Sequence, residues 1–132
     1  NNAAGQGGAI INRGSNGGNA SPSKLVVFSS KTLANKEVHI QQRENNGTSS
    51  PTISQCQFIE NYSGEGGALF NYTDANGVSK PIVSNSTFLA NEVYGDGGAV
   101  FIYGAFGDGE GIFNNCTFTG NGADGNGGAM SI

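Results

Sequence analysis

Charge is scarce in this chain, and basic charge scarcest. Only 12% of the 132 residues are charged, Lys and Arg together number six, and the net charge is −4. The two arginines are Arg13 and Arg43. A basic stripe that could track phosphates is therefore absent, which excludes a nucleic-acid footprint. Long hydrophobic runs are missing too. Purely apolar stretches are short, such as Leu25 to Phe28, and far below the length of a membrane helix. Tryptophan is absent and methionine occurs once. No charged n-region followed by an apolar h-region opens the chain, which starts Asn1-Asn2-Ala3, so any secretion signal is expected outside this stretch or already removed.

Glycine is abundant. There are 23 glycines and 3 prolines, and they recur at periodic positions, which argues for turns in an ordered array over a flexible linker. The period is plain. Phe-x-x-Asn falls at Phe58/Asn61, Phe88/Asn91 and Phe118/Asn121, an interval of 30 each time. Gly-Gly-Ala begins at Gly66, Gly97 and Gly127, intervals of 31 and 30. A repeat of this size means one supersecondary unit stacked on copies of itself. The length suits a single domain, residues 1–132, and no stretch resembles a linker between two.

Within one repeat an apolar residue (Ile53, Val83, Phe113) precedes a small one (Cys56, Ser86, Cys116) and then the Phe. Gln55, Asn85 and Asn115 interrupt the alternation, as at a bend between two short strands, because Asn tolerates left-handed backbone. Asn61, Asn91 and Asn121 close the second strand, and a Gly-rich turn leads to Gly-Gly-Ala and a third strand. Three short strands per ~30 residues cannot bury a face alone, but stacked coils bury alternate residues and bond each backbone to the coil above and below, about 4.8 Å away. The expected fold is an all-β, right-handed parallel β-helix of slightly more than four coils, a rod of roughly 20 Å. Right-handedness is the usual form for coils of this length.

Three interior columns follow. One is Leu33, Phe58, Phe88 and Phe118. A second is Phe28, Ile53, Val83 and Phe113, and the third is Ile10, Val38 or Ile40, Leu69, Val100 and Met130. In this parity Phe70, Tyr72, Phe101 and Tyr103 point toward solvent with Ile11, as a candidate binding stripe flanked by loops at 13–23, 41–50, 73–80 and 104–110. Exposed aromatics in a row stack on sugars or on a neighbouring rod. In the opposite parity they are core and the stripe vanishes. The coil from 28 to 57 is degenerate: Leu33 stands for Phe, Lys36 falls at the Asn position, and Gly-Gly-Ala is missing.

The pairing of Phe58/Asn61, Phe88/Asn91 and Phe118/Asn121 with Gly66–Leu69, Gly97–Val100 and Gly127–Met130 resembles the repeat of the polymorphic outer-membrane proteins. It is also similar to bacterial right-handed β-helix adhesin and autotransporter passengers. Gly7–Ile10 adds a fourth copy, and the resemblance spans about four fifths of the chain. It implies a secreted or surface-exposed protein, commonly adhesive. The family's transporter barrel has no counterpart here.

Polysaccharide lyases and hydrolases also use parallel β-helices. They need calcium-binding carboxylates with an Arg base, or paired acids from neighbouring coils. Here the acids lie mostly in loops, so the chain is read as no enzyme. Glu65 and Asp96 each precede Gly-Gly-Ala and should stack in one column with Asp124 nearby. The bland reading is solvated turn acids; the sharper one is a Ca²⁺ site on the turn edge. Cys56 and Cys116 share a column with Ser86 between them, about 9–10 Å apart and too far for a disulfide. They are read as inert buried thiols, and His39 as an exposed strand residue. Asn-x-Ser/Thr matches at Asn19, Asn46, Asn61, Asn71, Asn85 and Asn115 are read as turn chemistry, with glycosylation expected only if the source is eukaryotic.

The chain starts at a turn and stops in mid-strand at Ile132, so its ends are expected to join the rest of a longer solenoid or to stack head-to-tail on copies of itself. The functional expectation is an extracellular or cell-surface structural or adhesive solenoid, possible partners being surface proteins or glycans. The alternative is a carbohydrate-binding or polysaccharide-degrading β-helix whose active site lies outside this segment.

Overall fold

The computed structural model describes residues 10–15, 26–28, 38–43, 48–73, 77–104 and 107–132, with side chains from residue 50 onward. It is a right-handed parallel β-helix of about four coils. Five sheets run along the described rod, each built from the same segment of successive coils. The register is residue for residue: Phe58 pairs with Phe88 and Phe88 with Phe118. Ile53, Val83 and Phe113 align in the next sheet, and Leu69, Val100 and Met130 in a third.

Each coil is more finely divided than three strands. One complete coil runs Val78–Ser79, Ile82–Ser84, Thr87–Leu89, Glu92–Val93 and Val100–Gly104. The breaks are single left-handed residues. Gln55, Asn85 and Asn115 have φ of 57°, 50° and 51°, as the bend reading requires. A second set, Glu60, Ala90 and Gly120 with φ of 52°, 51° and 63°, turns the chain again one residue before each Asn. That second corner is what splits the expected middle strand.

Two corrections concern the N-terminal part. Phe28 pairs with Ser54, and Val27 is the residue opposite Ile53, so Phe28 leaves the Ile53 column. The coil order also departs from chain order. Ile10–Ser15 lies between Leu69–Thr73 and Val38–Arg43, with Ile10 opposite both Leu69 and Val38. The sequence gives the reason: Ile10-Ile11-Asn12 matches Leu69-Phe70-Asn71 position by position, whereas Val38-His39-Ile40 lacks the Asn. Val38, not Ile40, therefore joins the third column. Leu33 lies outside the described residues, as do the side chains of His39 and Ile11.

The core is layered. Ile53, Phe58, Leu69, Val83, Phe88 and Val100 are fully buried. The Phe58–Phe88 and Phe88–Phe118 rings stack at 4.6 and 4.7 Å, nearly parallel, the spacing of one coil. Beside them runs an amide ladder. Asn61 Nδ2 donates to Asn91 Oδ1 and Asn91 Nδ2 to Asn121 Oδ1, both at 2.8 Å. The backbone N–H groups of Asn61 and Asn91 donate to the same oxygens, and Asn91 Nδ2 also reaches Phe58 O at 3.1 Å. Asn61 and Asn91 are buried, so these residues do more than close a strand: they satisfy interior corner backbone that water cannot reach.

Gly-Gly-Ala is the tightest point of the rod. Its first glycine is left-handed (Gly66, Gly97, Gly127; φ 58°, 70°, 65°). Its second abuts the next coil: a Cβ on Gly67 would sit 2.2 Å from Gly98 O, and one on Gly98 2.0 Å from Gly128 O. At Gly67 and Gly98 it is room, not a left-handed backbone, that requires glycine.

Candidate functional site: two grooves beside the glycine turn

The strand after Gly-Gly-Ala alternates cleanly. Leu69 and Val100 enter the main core, while Phe70, Phe101 and Tyr72 gather on the opposite face of the same sheet. Phe70 and Phe101 are nevertheless buried, at 1% and 9% exposure, so the expectation that they face solvent is corrected. The cause is mutual cover. Phe70 lies 6.1 Å from Tyr72 and 5.5 Å from Phe101, and Tyr72 stacks on Tyr103 at 5.8 Å. Tyr103, 47% exposed, is the outer member.

These four aromatics line a groove of about 340 Å³ together with Glu65 and Asp96. Residues proposed separately for binding and for cation binding thus share one concavity. Glu65 and Asp96 are stacked across coils, as Gly66 N–H donates to Asp96 O at 3.0 Å. Asp96 Oδ1 accepts the Asn126 N–H at 2.6 Å, which partly offsets its charge with a backbone dipole. Asp124 is not with them. It lines a different groove, and no group of three acidic, His or Cys side chains suited to a metal forms among the described residues.

That second groove, about 310 Å³, lies on the preceding segment and is lined by Tyr62, Glu92, Val93, Tyr94, Gly122, Ala123 and Asp124. Its origin is one extra residue. Gly66 follows Asn61 by five positions, but Gly97 follows Asn91 by six. The backbone absorbs the difference at Tyr94: Tyr94 N–H donates to Ser63 O and Gly95 N–H to Gly64 O, so Tyr94 has no counterpart in the coil below. Such a bulge re-aims a side chain, and Tyr94 is 69% exposed. Its ring meets Tyr62 edge-on at 5.0 Å. The Tyr62 hydroxyl is pushed up to about 12, first by its hydrogen bond with Tyr94, then by desolvation and the charges of Asp124 and Glu92. The interval of 31 from Gly66 to Gly97, against 30 from Phe58 to Phe88, was the sequence signal for this groove.

The remaining candidates are accounted for locally. Neither cysteine is in a disulfide; Cys56 is buried and Cys116 half-buried. The Cys56 N–H donates to Ser86 Oγ at 3.2 Å and its thiol to Ser54 O at 3.3 Å. Lys80 bridges Asp108 at 2.7 Å and Glu110 at 3.1 Å across one coil, which raises its pKa. Among the sequon asparagines, Asn61 and Asn71 are interior: Asn71 Nδ2 donates to Ser79 O and Glu110 O. For these two the turn reading is corrected. Asn85 and Asn115 are exposed turn residues joined by an amide hydrogen bond of 2.7 Å.

No protein-family model, no curated protein and no solved structure matches this chain. Among the described residues, no helix is long and apolar enough to cross a membrane.

Proposed function

We propose that this chain is a non-enzymatic, extracellular or cell-surface β-solenoid with a structural or adhesive role, which makes contact through its lateral faces. The observation that carries the reading is the groove of Phe70, Tyr72, Phe101 and Tyr103 beside Glu65 and Asp96. Stacked tyrosines on a rigid ladder offer flat apolar faces with polar edges at little conformational cost, the usual composition of a recognition strip. The resemblance of the repeat to polymorphic outer-membrane proteins and β-helix adhesins supports the same setting by analogy. The neighbouring acids also serve structure: Asp108 and Glu110 are held by Lys80, and Asp96 by a backbone N–H.

A further coil of the same kind, from a copy of this chain or a longer solenoid, is the proposed partner along the axis. Phe113, Phe118 and Met130 of the fourth coil are only partly buried, whereas Val83, Phe88 and Val100 one coil earlier are fully so. The second reading, carbohydrate binding, rests on the same aromatic groove with its carboxylate rim.

Both are tested by applying the full chain and a Tyr103→Ala variant to arrays of glycans and of intact cells. Tyr103 is exposed, so its loss leaves the core alone. The adhesive reading expects retention of the parent on at least one surface, weakened about tenfold or more by Tyr103→Ala. Glycan spots retained by the parent select the carbohydrate reading. Equal retention of parent and variant on every surface refutes the groove.

A further inference from the structure

The second groove joins two feature types along one diagonal of the rod. Tyr62 and Tyr94 form its aromatic wall, one coil apart. Glu92 and Asp124, again one coil apart, form its acidic wall, because Glu92 pairs with Tyr62 below it and Asp124 N–H donates to Val93 O. The residue stacked over Glu92 is Gly122, whose missing side chain leaves the space open: a Cβ there would be 3.8 Å from Glu92 Cγ. Among the described residues no basic side chain lines the groove, and neither Glu92 nor Asp124 makes an ion pair. Two aromatic rings and two carboxylates without an ion-pair partner around an open concavity complement one kind of group, a compact organic cation.

We infer that the Tyr62–Tyr94–Glu92–Asp124 groove is a recognition site for an alkylammonium group, presented by a lysine side chain or by an amino sugar. The ammonium sits against the tyrosine rings, held by cation–π attraction, and faces the two carboxylates. The hydrogen bond between the Tyr62 and Tyr94 hydroxyls fixes the aromatic wall. Tyr94 is the specificity element, since the one-residue bulge that delivers it lies between the Gly66 and Gly97 turns and has no equivalent in the coil below. The site uses none of the residues of the Phe70–Tyr103 groove, so the two readings stand or fall separately.

The test is an amide NMR titration of the full chain with Nα-acetyl-lysine amide and with a glucosamine tetramer. The neutral controls are Nα,Nε-diacetyl-lysine amide and an N-acetylglucosamine tetramer, with CaCl₂ as an inorganic control. The expected result is shifts confined to residues 62, 92–95 and 122–124 with one or both cations, weakening with added salt. Glu92→Gln with Asp124→Asn, which keeps the shape, should reduce affinity about tenfold, and Tyr94→Ala about as much. A stronger response to the lysine amide points to a protein ligand, and a stronger response to glucosamine to an amino sugar. No response to either cation, equal response to the neutral analogues, or unchanged affinity in the charge-neutral variant overturns the inference.

Discussion

Replacing Asn91 by Ala removes the middle rung of the amide ladder. Its Oδ1 accepts from Asn61 N–H and Asn61 Nδ2, and its Nδ2 donates to Phe58 O and Asn121 Oδ1. Asn91 and Asn61 are 0% and 1% exposed, so the stranded Asn61 donors and the Phe58 carbonyl find no water. At about 1–2 kcal/mol for each buried group left unsatisfied, the loss comes to about 4 kcal/mol, a large part of the stability of a small domain. Asn121 is the internal control. It makes the same pattern, accepting from Asn91 and donating to Phe88 O at 3.0 Å, but it is half-exposed in the fourth coil. Water entering there replaces the missing amide, so Asn121→Ala should cost only about 1 kcal/mol. Urea unfolding followed by far-UV circular dichroism, with a common m-value, reads both. Losses that are equal within error would refute burial as the source of the ladder's contribution. A loss below about 1 kcal/mol for Asn91→Ala would refute the ladder itself.

Other outcomes follow from the same geometry. Gly98→Ala should destabilise by about 3 kcal/mol or more, or prevent folding, because the new Cβ would meet backbone carbonyls of Gly128 and Gly122 at 2.0 and 2.6 Å. Thermal unfolding beside Gly122→Ala, whose Cβ meets only Glu92 Cγ at 3.8 Å, separates crowding from general loss of glycine. Ala90→Gly should stabilise by about 0.5–1 kcal/mol, since relief of its φ of 51° exceeds the added chain entropy. An unchanged or lower midpoint contradicts that. In a spectrophotometric phenol titration Tyr62 should ionise near 12, and Tyr94→Phe should bring it back toward 10. A raised folded value means the Tyr62 contribution to stability is complete below pH 10 and is lost as pH rises through about 12.

The columns were readable because equivalent positions recur at a constant 30 residues, and only stacked coils make that interval meaningful. The left-handed bends at Gln55, Asn85 and Asn115 followed from residue chemistry, and the parity of Leu69 and Val100 from alternation. The Asn61–Asn91–Asn121 ladder was not readable. Asn at a strand end suits a turn as well as a buried rung, and the difference lies in which way the preceding left-handed residue sends the chain. Glu60 and Ala90 hide that corner because neither is a residue expected there. The burial of Phe70 and Phe101 was missed for another reason: alternation assigns a face, but not what neighbouring rings do on it. The Phe28 misalignment came from a coil with no Gly-Gly-Ala to anchor its register, and the backbone there shifts by one residue.

The contact between Gly67 and Gly98, and between Gly98 and Gly128, leaves no slack along the axis at that corner. Axial rise is thereby clamped, while the opposite side of each coil varies in length: Leu69 to Val83 spans 14 residues and Val100 to Phe113 spans 13. The rod therefore works as a ruler with fixed graduations of about 4.8 Å, onto which side features are hung at whole-number spacings. A polymer whose own repeat is commensurate with those graduations would gain a contact at every matching rung, and its avidity would grow with rung number without any change in the individual contact.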